Sequence, residues 1–132
     1  MDENISCLGL NVLRRANVVR LPTFRNANGD PAHAKPDGSD WKLSAWSNAV
    51  CGELGEAANI IKKIERGDFH LDLSREALAD ELADVLIYLD LLAFQAGVDL
   101  GAAVVSKFNK TSVKVGSPVR ISAGGYYFAP NE

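Results

Sequence analysis

Four carboxylates stand in two short pairs, Glu53-Leu54-Gly55-Glu56 and Glu81-Leu82-Ala83-Asp84. Within each pair the acids are three positions apart in a helix-forming stretch, so they share a helix face. If the two helices pack together, all four converge on one spot. Left unpaired, such a cluster repels itself and is costly to desolvate. A divalent cation removes that conflict. Oxygen-only donors select a hard ion, Mg²⁺ first and Mn²⁺ as the alternative.

The helical wheel places these acids where charge is not expected. At roughly 100° per residue, Trp46, Ala57 and Ile64 fall within about 40° of Glu53, and Ile60 lies about 20° to its other side. Glu53 is therefore in the middle of an apolar stripe, and Glu56 is at its margin near Lys63. The second pair repeats the arrangement. Tyr88 and Leu92 flank Glu81 at roughly 20°, Val85 is close by, and Asp84 is at the edge. A charge on a packing face needs a partner. The two histidines, His33 and His70, lie outside the predicted helices. A di-iron bundle would want a helical Glu-x-x-His, and its absence favours Mg²⁺ or Mn²⁺ over a redox iron pair.

A cation and four aromatic rings complete the chemistry. Lys107 shares a side with the stripe Leu100, Val104, Phe108 and Thr111. It reads either as a lysine whose stem covers apolar surface or as a phosphate contact. Trp41, Trp46, Tyr88 and Phe24 are candidates to stack on a base, with Trp46 foremost. It lies two helical turns before Glu53 on nearly the same face.

Four helices must position these groups. The first is predicted from Ile5 to Phe24, ended or kinked by Pro22. Residues 26–40 form a polar connection with turn signals at Asn28-Gly29-Asp30-Pro31 and Pro36-Asp37-Gly38. The second helix spans Leu43 to Arg66, with Ser44 or an earlier polar residue as cap and Arg66-Gly67-Asp68 as stop. The third starts at a Ser74 cap, reaches Ala96 and is closed by Gly97. Asp99 caps a fourth, Leu100 to Val115. The tail from Val119 to Glu132 is expected to be extended or a short strand. The class is all-α, a four-helix bundle-like fold with a short extended C-terminal tail.

With 132 residues, 47% of them hydrophobic, the chain fits one domain with an ample core. Its net charge of −3 gives no general attraction to nucleic acid or to an anionic membrane. No segment approaches the roughly 20 apolar residues of a membrane span. The N-terminus carries acids where a signal peptide carries bases, so a cytoplasmic protein is expected. Cys7 and Cys51 make no CxxC pair, and Cys51 is expected to be a buried free thiol. The third helix has apolar residues on nearly all sides, including Leu82, Leu86 and Leu89, which predicts a homo-oligomer.

The motif Gly52-Glu53-Leu54-Gly55-Glu56, followed by Asp80-Glu81-Leu82-Ala83-Asp84, resembles the MazG-like all-α nucleoside triphosphate pyrophosphohydrolases. The run from Val98-Asp99-Leu100 to Lys107-Phe108-Asn109-Lys110 is similar to that family's closing helix. The likeness covers about Trp41 to Gly116, and 117–132 is left as the tail. It implies a MazG-type fold and hydrolysis of a nucleoside triphosphate to monophosphate and pyrophosphate. It further implies Glu53, Glu56, Glu81 and Asp84 as Mg²⁺ ligands, and Lys107, Asn109 and Lys63 as phosphate contacts. Trp46 and Trp41 would stack on the base, and Glu53 is the first choice for the group that activates water. A homodimer or a dimer of dimers is implied as well. One departure stands out. Many members carry two adjacent acids at the start of the first motif, and here the first is Gly52. Narrower dUTPase- or dCTPase-like activity is one alternative. A non-catalytic helical module with a structural cation is another.

Overall fold

The computed structural model describes residues 8–124 and 127–130. Among them are four helices: α1 (Leu10–Arg20), α2 (Leu43–Glu65), α3 (Leu71–Gln95) and α4 (Leu100–Lys114). A 3₁₀ turn, Leu21–Thr23, follows α1. The all-α expectation holds. The chain divides into two compact units, one ending at Gly97 and the other beginning at Val98.

In the first unit α2 and α3 pack along each other, and α1 lies against α3. Trp46, Leu21 and Leu91 are fully buried, and Phe24, Ile87, Tyr88 and Leu92 pack around them. Trp46 is the largest of these. At about 25 cal/mol per Å² its burial contributes roughly 4–6 kcal/mol, as an upper bound. Polar contacts also fix α1. The guanidinium of Arg14 donates from Nε to Asp90 Oδ1 at 3.0 Å, and Asn17 Nδ2 donates to Asp90 Oδ2 at 3.0 Å. Asp90 is 1% exposed. A carboxylate this deep stays ionised only when both of its oxygens are met.

Several helix boundaries differ from those expected. The first helix is shorter than Ile5 to Phe24. It gives way to the 3₁₀ turn at Leu21, where Pro22 occupies the first turn; Ile5 lies outside the described residues. Ser74 is not a cap. The third helix begins at Leu71 after His70, and the Ser74 N–H donates to the His70 carbonyl at 3.0 Å inside the first turn. Leu71 and Leu73 remain exposed, so no apolar stripe announced this turn. Lys42 precedes α2 without a side-chain cap. Asp99 caps α4 as expected, accepting from the Ala102 N–H at 3.0 Å. Cys51 is exposed rather than buried. It lies two residues before Glu53, about 160° away from the packing face. Cys7 lies outside the described residues.

The connection from Phe24 to Lys42 is held at many points. Asn26 Oδ1 accepts from the N–H groups of Asn28 and Asp30, and the Ala32 N–H donates to the Phe24 carbonyl. Gln95 Nε2 reaches across from α3 to the Asp37 carbonyl at 2.6 Å. Gly38 has φ +69°, and a Cβ there would stand 2.8 Å from the Trp46 ring. Glycine is required at this position on both counts.

In the second unit the tail forms a two-stranded antiparallel ladder. β1 (Arg120–Ile121) pairs with β2 (Tyr127–Phe128), with Arg120 opposite Phe128. Asn109 of α4 ties β1 down: Nδ2 donates to the Ile121 carbonyl at 2.8 Å, and Oδ1 accepts from the Ile121 N–H at 2.9 Å. No single helix among the described residues is long and apolar enough to cross a membrane.

Candidate active site

α2 presents Glu53 toward α3, and α3 presents Glu81 and Asp84 one helical turn apart. Carboxylate oxygens of these three residues lie within 4.8 Å of one another. Glu56 is one turn beyond Glu53 and more exposed, and its carboxylate neighbours that of Glu81. The arrangement follows from the two i, i+3 pairs on helices that pack side by side. Among the described residues none of the four has a basic ion-pair partner.

The electrostatics register that concentration of charge. Desolvation, then the charges of Asp84 and Glu56, hold the Glu53 carboxyl above its ordinary range. Glu81 is raised too, by desolvation and then by the charge and hydrogen bond of Glu56, with Glu53 and Asp84 adding to it. A set of oxygen donors, two of them held above their ordinary range and none ion-paired among the described residues, fits a hard divalent ion. Such an ion would reverse the shifts.

Beside the acids is a cavity of about 310 Å³ lined by Phe24, Arg25, Ala32, His33, Trp41, Trp46 and Tyr88. The four aromatic residues singled out from the sequence all contribute to it. Trp46 is completely buried, so it forms the floor, while Trp41 is 37% exposed and stands at the rim. Their ring centroids are 4.8 Å apart. Tyr88 joins the two features. Its phenol is raised by burial and then by the charges of Glu53 and Asp84, with Arg20 opposing. The hydroxyl therefore stays protonated and can donate.

His33 is the residue that sequence reasoning missed. It stacks on Trp46 at 5.3 Å and 18°, and meets the edge of Trp41 at 4.7 Å. It lies in an aperiodic loop, where neither helical spacing nor a ligand motif marks it. His33 Nδ1 and Trp46 Nε1 are buried without a hydrogen-bond partner among the described residues. Orphaned polar atoms of this kind are rare in a finished core.

The predicted phosphate contacts fall in both units. Lys63 holds its ammonium 5.1 Å from the centre of the Phe69 ring. Lys107 is exposed on α4 in the second unit, and Asn109 of the same helix is occupied by Ile121.

Comparison with known proteins identifies relatives and a family. The chain is 40% identical over 80 residues to dCTP pyrophosphatase 1 of Rattus norvegicus and, equally, to that of Mus musculus. The aligned part is 58% of this chain and 46% of each relative, so the chain spans about half the length of the curated relatives it matches. No solved structure gives a significant match. The MazG nucleotide pyrophosphohydrolase domain matches residues 43–115. That span holds α2, α3 and α4 and with them all four carboxylates, and the chain belongs to this family.

Proposed function

We propose that this protein hydrolyses a nucleoside triphosphate, a deoxynucleotide by preference, to the monophosphate and pyrophosphate. The observation that carries this reading is the pairing of Glu53, Glu81 and Asp84, within 4.8 Å, with an adjoining aromatic cavity through Tyr88. One half suits a cation-bound polyphosphate and the other a planar base. The cavity is at the small end of ligand pockets and suits one nucleobase rather than a polymer.

Glu53, Glu56, Glu81 and Asp84 would hold the divalent cation, Mg²⁺ by the hardness of the donor set. When bound, the cation neutralises phosphate charge and acidifies coordinated water. The residues supply the rest. Glu53 is half-buried beside Glu81 and Asp84, and a carboxylate so placed would orient a water and take its proton. Tyr88 can donate to the sugar or to a phosphate oxygen from between the two halves. Trp41, at the rim, would stack on the base; Trp46, fully buried under His33 and Trp41, backs the pocket rather than meeting the base as expected from the sequence. Lys63, on the helix that carries Glu53 and Glu56, is the candidate for phosphate contact within the first unit.

Pyrophosphate release measured over a panel of nucleotides, with and without Mg²⁺, tests the proposal. Asp84→Ala and Glu81→Gln should each lower Mg²⁺-dependent turnover by about 10²-fold or more, the range for loss of one preorganised charge group. Wild-type rates in both variants would refute the assignment. The likeness to dCTP pyrophosphatases favours a narrower reading in which dCTP is the preferred substrate, and the same panel decides it.

A further inference from the structure

His33 is the least accounted-for group in the cavity. It is 7% exposed, and its Nδ1 has no hydrogen-bond partner among the described residues. The closest carboxylate oxygen is Asp40 Oδ1, at 3.8 Å. Asp40 is itself held in place, because its carboxylate accepts from the N–H of Ala34 at 3.1 Å and of Lys35 at 3.4 Å. Burial pushes the Asp40 carboxyl up. The Ala34 and Lys35 N–H groups, with the Asp40 backbone N–H, act against that, and the net shift is downward. Asp40 is therefore an anion at neutral pH.

This fixes what His33 can be. A lone pair on Nδ1 would face an anionic oxygen, two acceptors opposed with Nδ1 itself shut off from water. A proton on Nδ1 turns the repulsion into attraction. The ring's remaining lone pair is then on Nε2, the nitrogen left to meet a ligand in the cavity that His33 lines. The other charged or titratable side chains around the cavity do not compete. Arg25 Nη1 donates to the carbonyls of Pro22 and Phe24, both at 3.1 Å. Tyr88, from α3, is neutral, and α2 contributes only the indole of Trp46.

We propose that Asp40 is a positioning residue that fixes His33 as its Nδ1–H tautomer, so that Nε2 accepts a hydrogen bond from the bound base. The pocket then selects a base edge that donates there, an exocyclic amine, and disfavours a keto oxygen in its place. This selectivity rests on the preceding reading of the cavity as a base subsite, whereas the tautomer does not.

The tautomer is read directly by ¹⁵N-resolved NMR of the imidazole. The chain has two histidines, and the exposed His70 is removed as His70→Gln so that one signal remains. The expected result is the Nδ1–H form at neutral pH, with a shift toward Nε2–H in Asp40→Asn, whose amide can donate to Nδ1. An Nε2–H form in the unsubstituted loop overturns the proposal, and that measurement stands even if Asp40→Asn fails to fold. For selectivity, kcat/KM is compared for dCTP and dUTP, which differ at one exocyclic group. Asp40→Asn should cut the dCTP-to-dUTP ratio by about tenfold or more, carried in KM. A switched tautomer with an unchanged ratio overturns the recognition claim. Absence of turnover with any nucleotide would sink the functional reading, and the spectrum would still decide the role of Asp40.

Discussion

Within the acidic cluster Glu53 and Glu81 are held harder to ionise by burial and by the neighbouring carboxylates, and that has a pH signature. Glu53 and Glu81 both titrate above the ordinary value of 4.5. Carboxyls raised in the folded state contribute stability that is fully present below the unfolded value and is lost as pH rises through the folded one. In chelator, the thermal midpoint should therefore fall between the acid range and neutrality by more in wild type than in Glu53→Gln/Glu81→Gln. Adding Mg²⁺ at neutral pH should restore the wild type and leave the double variant little changed. Parallel pH profiles of the two proteins in chelator would contradict this account. The acids were legible in the sequence because i, i+3 spacing and the apolar stripe are both periodic. His33 was not, because its position depends on a loop whose course is set by contacts distant in sequence.

Helices and their connections are fixed by a few demanding contacts. Gly38 combines a left-handed backbone with contact against Trp46. Gly38→Ala should cost about 1–3 kcal/mol in denaturant unfolding, and it should raise KM by displacing the Trp46 floor. Asp90 makes the corresponding demand on α1. Asp90→Ala removes the carboxylate that Arg14 and Asn17 share and leaves a cavity in its place, with an expected loss of about 3 kcal/mol. Asp90→Asn keeps an acceptor and should lose less. Equal losses in the two variants would show that the charge contributes most of the effect. The wheel could mark the residues around Asp90 as a packing face. It could not supply Arg14, which is 76 positions away. Helix ends were read well where a glycine or an Asx cap made them, as at Gly97 and Asp99. They were misread at Ser74, where the first turn of α3 is exposed and carries no period.

Across the whole molecule, the notable surface is apolar. Leu82 is 50% exposed and Leu86 38%, both on α3, and Leu54 of α2 is 53% exposed. We propose that these leucines form a contact surface that a homodimer or dimer of dimers would cover. Multi-angle light scattering should give a mass of at least twice 14.2 kDa. A charge placed there, as Leu82→Glu, should shift the mass toward the monomer, and a monomeric wild type would exclude this role for the face. The all-α class and the pairing of the acidic helices were legible because periodicity sets both. The division of the chain at Gly97 was not, since it depends on which helices contact each other.

The connection between α1 and α2 also bears on the timing of binding. It is tied to the Trp46 ring through Gly38 and to α3 through Gln95, and Asn26 and Asp40 close turns within it. A wall anchored at that many points is complete before any ligand arrives. Association should then be a single encounter, with an observed rate that climbs linearly with nucleotide concentration and shows no plateau from a slow opening step.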